Sequence, residues 1–153
     1  MNVYFGRRYM LSASHRLHTD VLTPEQNRAT YGKCNNPHGH GHNYTIEVLV
    51  GGAVEHDTGM VVNLVDVDVV VRTRVLDRFD HANLNRDPLF TSIVPTTENL
   101  CKAIFRLLYG SFPTGRLESV RVEETENNFF QCDRDSFIDE PAIPAGASQK
   151  VKG

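Results

Sequence analysis

Alternating hydrophobic and polar positions predict the first two strands of the chain. In residues 42–52, HNYTIEVLVGG, every second side chain from Tyr44 to Val50 is apolar, and Glu47 lies on the opposite face. A period of two residues is typical of a half-buried strand. Residues 3–17, VYFGRRYMLSASHRL, alternate more loosely and contain few helix stop signals, so we interpret them as another strand.

Two later segments have the period of an α-helix. Residues 96–112, TTENLCKAIFRLLYGSF, carry apolar side chains at helical spacing, with Thr97 as a suitable N-cap, Glu98 in the first turn and Gly110 as a stop. Residues 63–79, NLVDVDVVVRTRVLDRF, are rich in valine, which favours a strand by propensity. Their apolar positions nevertheless form one helical stripe, so the pattern predicts a helix there too.

The order of these elements predicts an α+β fold. Residues 116–133, RLESVRVEETENNFFQCD, give two more strands joined by a turn around Glu126–Asn128. The order β-β-α-α-β-β implies an antiparallel sheet with two helices on one face, in a single domain of residues 1–140. Residues 141–153, PAIPAGASQKVKG, offer almost nothing to bury and are expected to be a flexible tail.

Composition argues against several classes of protein. The 153 residues carry a formal net charge of −3 without a Lys/Arg block, which argues against a nucleic-acid partner or an anionic membrane surface. No apolar run approaches the ~20 residues that span a bilayer, and no secretory signal begins the chain. Three cysteines, an odd number, do not make a disulfide framework. We therefore expect a protein of the reducing cytoplasm.

The segment CNNPHGHGHNY places a histidine at every second position. In an extended chain His40 and His42 point to one face, about 6.5–7 Å apart, and both can reach one ion at ~2.0–2.1 Å. Adding His38 would stretch the set to roughly 13 Å, so a third ligand must come from elsewhere. His15 in SASHRLH supplies it from the neighbouring strand, with His18 as the second choice. Three histidines with an open fourth position are the arrangement of a catalytic rather than a structural zinc.

Cys34 lies in an Asn-, Gly- and Pro-rich loop that a hydrophobic core would not demand. Lys33 and a nearby dication are expected to lower the pKa of its thiol, as a base or nucleophile requires. The alternative, in which Cys34 closes the zinc site as a fourth ligand, stays open at this point. Cys101 is expected to be a buried small hydrophobe on its helix, and Cys132 carries no signal of a partner.

Six motifs together resemble the 6-pyruvoyltetrahydropterin synthase family, which includes the bacterial 6-carboxytetrahydropterin synthases. Between about Tyr4 and Cys132 they follow in the family's order: SASHRL, YGKCNNPHGHGHNY, TGMVVNL, DHANLN, PTTENL and VEETENN. The resemblance implies the tunnelling fold, in which three four-stranded antiparallel sheets close a twelve-stranded barrel. Two trimers would then stack into a homohexamer with active sites between subunits.

The resemblance also implies roles for the matching residues. It makes zinc ligands of His15, His40 and His42 and a proton-abstracting base of Cys34. It makes Asp80 and His81 a second acid/base pair. The residues that it implies as pterin contacts are Thr96, Thr97, Glu98 and Glu124. Strand alternation sends Glu123 and Glu124 to opposite faces, so only one of them can anchor the ring.

The substrate implied is a small molecule, 7,8-dihydroneopterin triphosphate, which is converted to 6-pyruvoyltetrahydropterin with loss of triphosphate. Arg16 and Lys33 are candidates to meet that triphosphate. The rival reaction gives 6-carboxytetrahydropterin and acetaldehyde on the route to deazapurines such as queuosine. The five residues between Cys34 and His40 favour the pyruvoyl branch, whereas His38 supplies the three-residue spacing common in the other. A non-catalytic zinc-binding module, with Cys34 as a structural ligand, is the alternative from another class.

Overall fold

The computed structural model of the chain describes residues 1–138. Its strands are β1 (Val3–His15), β2 (His40–Gly52), β3 (Ala82–Asn83), β4 (Arg116–Thr125) and β5 (Asn128–Asp133). Its helices are α1 (Pro24–Tyr31), α2 (Leu64–Val71), α3 (Asp77–Phe79), α4 (Thr97–Leu108) and α5 (Arg134–Ile138), and a π-helical segment (Arg72–Leu76) joins α2 to α3. The segment expected to be a flexible tail, 141–153, lies outside the described residues.

The strands form one sheet in the order β3-β1-β2-β4-β5. Neighbours are antiparallel except β3, which runs parallel to β1 beside Ala13 and Ser14. The α+β class is confirmed, but the expected four-stranded antiparallel sheet is wrong by one strand. β3 has only two residues, too few for an alternating pattern. The hydrogen bond that the backbone N–H of His81 donates to the Ser12 carbonyl (2.6 Å) helps to hold it beside β1.

One face of the sheet packs against the helices, and no helix within residues 1–138 covers the other face. On β2 the side chains of Tyr44, Ile46, Val48 and Val50 are all fully buried, which confirms the predicted alternation. Apolar side chains of α2 and α4 complete this core. On the opposite face Met10 is largely exposed, as an outward position of a half-buried sheet should be.

The valine-rich segment is helical, as its periodicity predicted. Val67, Val71 and Val75 follow one another at a spacing of four residues, and all are fully buried. Burial of this stripe outweighs the strand propensity of valine, because tertiary packing routinely overrides intrinsic preference. Asn63 caps the helix by accepting a hydrogen bond from the backbone N–H of Val65 (2.8 Å).

Helix α4 is confirmed, but its cap is one residue earlier than predicted. Thr96, rather than Thr97, is the N-cap, and its hydroxyl accepts a hydrogen bond from the backbone N–H of Asn99 (3.3 Å). Thr97 therefore lies in the first turn with its hydroxyl free for another partner. This shift by one position decides which threonine can reach the sheet.

Two further helices, α1 and α5, were not predicted. Helix α1 has no apolar stripe, and Asn27 is its only buried residue. A capping box between Thr23 and Gln26 begins it, followed by Pro24 at the first helical position. None of the helices within residues 1–138 is long and apolar enough to cross a membrane.

Candidate metal centre and active site

Three histidines converge where β1 ends and β2 begins. His15 and His40 lie directly opposite each other in the antiparallel ladder, and their Nε2 atoms are 3.0 Å apart. His42 lies two residues further along the same face of β2. One ring nitrogen of each residue falls within 4.8 Å of the others, so His15, His40 and His42 could hold a metal ion. His38, by contrast, is exposed and outside this cluster.

The surroundings of these rings suit metal binding. The Nδ1 atom of His15 is 2.8 Å from the carbonyl oxygen of Pro95. Because a carbonyl can only accept, Nδ1 carries the proton, and the lone pair of Nε2 faces His40. Among the described residues, Nδ1 of His40 and Nε2 of His42 are buried without a hydrogen-bond partner. Burial lowers the pKa of His15 and of His40, which favours the neutral rings that bind metals.

Cys34 faces the same site from a short 3₁₀ helix, Gly32–Asn35. It lines a cavity of about 890 Å³ together with His40 and His42. The backbone N–H of Leu17 donates to the Cys34 carbonyl (2.9 Å), which joins this loop to the end of β1. Burial, followed by the nearby carboxylate of Glu124, raises the pKa of the Cys34 thiol. In the metal-free protein the pKa is therefore raised rather than lowered, and Lys33 is not among the groups that shift it, while the expected effect of a dication stays a prediction.

Glu124 on β4 also points towards the histidines. Its Oε1 accepts a hydrogen bond from the Thr97 hydroxyl (2.6 Å) and lies 3.6 Å from Nε2 of His42, while its Oε2 accepts from the Asn128 amide (2.9 Å). Burial alone would raise the carboxyl pKa, but the two donors and His42 outweigh it and hold the pKa of Glu124 below its ordinary value. Glu123 instead forms an ion pair with Arg121 (2.8 Å).

The remaining predicted residues are divided between the site and the surface. Thr96 caps α4 and Thr97 contacts Glu124, so both lie at the end of the helix that approaches the site. Glu98 is exposed. Asp80 and His81 lie beside β1, where Oδ2 of Asp80 is 3.1 Å from Nδ1 of His81.

The Asp80–His81 pair does not share the Cys34 cavity. Asp80 is oriented by the backbone N–H of Ser12, which donates to its Oδ1 (2.9 Å). His81 has a left-handed backbone (φ 58°), which lets these adjacent side chains meet although neighbours in sequence usually diverge. His81 lines another cavity, of about 320 Å³, beside Ser12 and Asn43, and His42 borders both this cavity and the one that Cys34 lines.

Sequence reasoning missed the residues that orient the site. Pro95 acts through its backbone carbonyl, which no side-chain pattern can reveal. Asn35 is buried, and its amide donates to the Leu17 carbonyl (2.7 Å) and contacts Nδ1 of His18 (3.1 Å). The double asparagine after Cys34 was visible in the sequence, but its burial was not. These contacts fix the loop that presents Cys34.

Comparison with known proteins identifies the family of the chain. Residues 5–135 match the family model described as 6-pyruvoyl tetrahydropterin synthase. The chain is 46% identical over 124 residues to the "6-pyruvoyl tetrahydrobiopterin synthase" of Homo sapiens, covering 80% of this chain and 86% of that protein. It is 36% identical over 95 residues to the "Putative 6-carboxy-5,6,7,8-tetrahydropterin synthase" of Archaeoglobus fulgidus, covering 62% and 76%.

A solved structure agrees with these matches. The 6-pyruvoyl tetrahydropterin synthase of Caenorhabditis elegans superimposes with a TM-score of 0.83 at 38% identity, over 88% of this chain and 96% of that one. Such agreement in sequence and in fold covers every motif that first indicated the resemblance. The chain belongs to the 6-pyruvoyl tetrahydropterin synthase family.

Proposed function

We propose that the protein converts 7,8-dihydroneopterin triphosphate to 6-pyruvoyltetrahydropterin with elimination of triphosphate, in a zinc-dependent reaction. One observation carries the proposal: three imidazoles converge on one point, two of them line the same cavity as the Cys34 thiol, and the partly buried Glu124 carboxylate lies 3.6 Å from His42. The family membership and the names of the relatives make a pterin the substrate class. A reducing compartment such as the cytoplasm would keep Cys34 as a thiol.

His15, His40 and His42 would hold the zinc ion. Three imidazole nitrogens match the donor set of catalytic zinc sites, and among the described residues Nδ1 of His40 and Nε2 of His42 are buried without a hydrogen-bond partner. When bound, zinc supplies a Lewis acid that polarises oxygen substituents of the substrate and so acidifies the neighbouring C–H bonds. The hydrogen bond from His15 to Pro95 keeps that ring in the tautomer needed.

Cys34 would remove the proton from the substrate side chain. It borders the cavity next to His40 and His42, so its sulfur faces the region where the polarised carbon would lie. A positive ion held by the histidines would oppose the burial that raises the pKa of this thiol, and so would increase its thiolate fraction. We assign Cys34 as the base rather than as a fourth zinc ligand.

Glu124 would anchor the pterin ring. A carboxylate held ionised by its donors can accept two parallel N–H bonds from the guanidine-like edge of a pterin. Glu123 faces the other side of β4 and is engaged by Arg121. We therefore assign the anchoring role to Glu124, with Thr97 as its positioning partner and Thr96 and Glu98 in the adjoining turn.

The cationic end of the cavity would receive the triphosphate. Arg16, Arg28 and Lys33 line it at the side of the 3₁₀ helix and of α1. The guanidinium of Arg16 is held by the Asn35 carbonyl (3.3 Å) and lies near His18 (3.4 Å). Guanidinium and ammonium groups around an open pocket are suited to a polyanion.

Asp80 and His81 would act in a neighbouring chain's site as the second acid/base pair. Within one chain neither residue lines the Cys34 cavity, and His81 borders a different one, which supports their acting across an interface between chains. We propose that the chains assemble as a homohexamer of two trimers, in which the open edges of the sheets join.

Subunit mixing tests this division of roles. Cys34→Ala and His81→Ala proteins should each be inactive, but unfolding and refolding an equal mixture should restore about a quarter of the wild-type activity, because random neighbours then supply one intact pair in four. Recovery no greater than the sum of the separate variants would overturn the shared site. Light scattering of the same samples reports whether assembly itself was retained.

The second candidate is the 6-carboxytetrahydropterin reaction, which the Archaeoglobus relative favours by name. Against it stands the position of His38, which is exposed and apart from the metal-binding cluster, so that the five-residue spacing from Cys34 to His40 is the one realised. Mass analysis of the products from protein, zinc and substrate separates the two. Triphosphate with 6-pyruvoyltetrahydropterin supports our proposal, whereas acetaldehyde release contradicts it.

A Cys34→Ala variant separates catalysis from a structural zinc module. For an enzyme, turnover should vanish while the metal content per chain stays at the wild-type level and the metal-free protein stays folded. Loss of the metal in this variant, or unfolding of the wild type by a chelator, would favour the structural role. Circular dichroism and elemental analysis on the same preparations give both readouts.

A further inference from the structure

Two cysteines outside the metal centre face each other between α4 and β5. The Cys101 side chain is fully buried, with its Sγ 3.4 Å from the Val120 carbonyl oxygen and 3.6 Å from that of Phe130. Cys132 pairs with Val120 in the ladder of β4 and β5, so its side chain lies on the face that packs against α4. Both cysteines thus border Val120, and their thiols are close enough to shift each other's pKa through a hydrogen bond.

Cys132 is also open to a small cleft, whereas Cys101 is not. The cleft has a volume of about 290 Å³, lies between α4, β5 and α5, and is bordered by Lys102, Arg106 and Phe137. It shares no lining residue with the Cys34 cavity. The arrangement is therefore one reachable thiol beside two cations, backed by a second, buried thiol.

The charges and hydrogen bonds give the two sulfurs different character. The hydrogen bond from Cys101 lowers the pKa of Cys132, and Lys102 and Arg106 act in the same direction against the effect of burial. The pKa of Cys101 is raised, first by this bond and then by burial. Lys102 and Arg106 have further interactions of their own, so their help to the Cys132 thiolate is shared with other groups.

We propose that Cys132 and Cys101 form a second reactive site, at which a hydroperoxide oxidises Cys132 to a sulfenic acid and Cys101 converts it to an intrachain disulfide. In the first step the Cys132 thiolate attacks one peroxide oxygen, an S–O bond forms and the O–O bond breaks. The departing oxygen takes a proton and leaves as water or an alcohol.

In the second step the Cys101 sulfur, losing its proton, attacks the sulfur of Cys132. An S–S bond forms, the S–O bond breaks and the hydroxyl leaves as water. The two thiols are oxidised by two electrons in total, and one molecule of hydroperoxide is reduced. Cys101 Sγ lies 3.4 Å from the carbonyl oxygen of Val120, the ladder partner of Cys132, so the resolving sulfur is beside the oxidised one before the reaction begins.

Peptide mapping of the full chain after treatment with hydrogen peroxide tests the proposal. Wild-type and Cys34→Ala proteins are reduced, exposed to peroxide, and blocked with a maleimide before mass analysis. The Cys34→Ala protein should lose about 2 Da and leave no cysteine for the maleimide, with one cross-linked peptide pair that joins positions 101 and 132. A dithiol reductant should restore both thiols.

Two matched variants in the Cys34→Ala background identify the order of events. With Cys101→Ser, Cys132 should gain about 16 Da and be captured by a sulfenic-acid reagent such as dimedone. With Cys132→Ser, Cys101 should stay a thiol under the same conditions. The inference would be overturned by any of three results. Cys101 could oxidise equally well in the Cys132→Ser variant, the disulfide could form only between different chains, or Cys132 could fail to react in the Cys34→Ala protein. That last measurement needs no substitution at either position, so a folding defect in the serine variants cannot obscure it.

Discussion

Replacing Thr97 with valine removes one hydroxyl and leaves the shape of the side chain almost unchanged. Thr97 is only 3% exposed, and its hydroxyl donates a hydrogen bond to the Glu124 carboxylate at 2.6 Å. A hydrogen bond to a charged group contributes about 1.5–3 kcal/mol to stability. We expect Thr97→Val to lower the free energy of unfolding at neutral pH by that amount. Thr97→Ser keeps the hydroxyl and loses one methyl group, which costs about 0.8 kcal/mol.

The pH dependence of this difference follows from the Glu124 carboxyl. Its pKa in the folded protein lies below the ordinary value of 4.5, so the ionised form stabilises the fold above pH 4.5, and this contribution is lost as the pH falls through the folded pKa. Thr97 is the largest of the groups that lower this pKa. The difference in the free energy of unfolding between wild type and Thr97→Val should therefore be largest near neutral pH and should decrease in acid.

Urea unfolding of the metal-free proteins, followed by circular dichroism at one chain concentration, measures these free energies. A fixed concentration matters because assembly stabilises folded chains by mass action. Combining Thr97→Val with Glu124→Gln completes a double-mutant cycle, in which contacting groups should couple by more than ~0.5 kcal/mol. The reasoning would be refuted if the two substitutions changed the free energy of unfolding additively within that limit. It would also be refuted if the valine and serine variants lost the same amount of stability.

Further variants test the metal centre, the Cys34 loop and the strained turn. His15→Ala should abolish stable zinc binding, as measured by elemental analysis after dialysis, whereas His38→Ala should keep the wild-type metal content. An equal loss of metal in the two variants would contradict the assignment of the ligands. Asn35→Ala leaves the Leu17 carbonyl without its buried donor, so we expect a loss of about 1–3 kcal/mol in urea unfolding and a lower kcat with metal content unchanged. His81→Gly should be more stable than His81→Ala by about 1 kcal/mol, since only glycine adopts the left-handed backbone without cost. Both variants should lose turnover. Equal stability of the two would argue against backbone strain at this position.

Substitution of the two neighbouring glutamates is a matched test of the pterin anchor. Glu124→Gln keeps the size of the side chain but removes the charge, and should raise the KM for the pterin substrate by about tenfold or more, as expected when a charge-assisted bond is lost. Glu123→Gln should leave KM near the wild-type value, because that side chain pairs with Arg121 on the other face. A rise of equal size in both variants would contradict the assignment.

The histidine cluster could be predicted from the sequence because it depends on two simple periods. Alternation along a strand put His40 and His42 on one face, and pairing of two consecutive strands brought His15 beside them. Neither step needed the details of side-chain packing. The fold class was accessible for the same reason, since long periodic segments dominate it.

The features that the sequence did not reveal depend on single residues or on backbone groups. The strand β3 follows His81, whose backbone is left-handed, and two residues are too few for a sequence pattern to predict a strand. The tautomer of His15 is set by a carbonyl from Pro95, eighty positions along the chain. The raised pKa of Cys34 depends on how deeply its loop is buried, which sequence neighbours such as Lys33 do not report.

The Glu124 carboxylate lies 3.6 Å from His42, at the edge of the histidine cluster, and the fold sets its charge and the charge of the other two rings by different physical routes. His15 and His40 are kept neutral chiefly by burial, which disfavours a charged ring. Glu124 is partly buried as well, yet it stays ionised because a hydroxyl and an amide each donate to one of its oxygens. Those donors occupy one acceptor position on each oxygen, and the second position on each stays available for the two parallel N–H bonds proposed for a pterin edge. His40 and His42 line the same cavity as Cys34, so a molecule bound there can reach both the histidine cluster and the thiol.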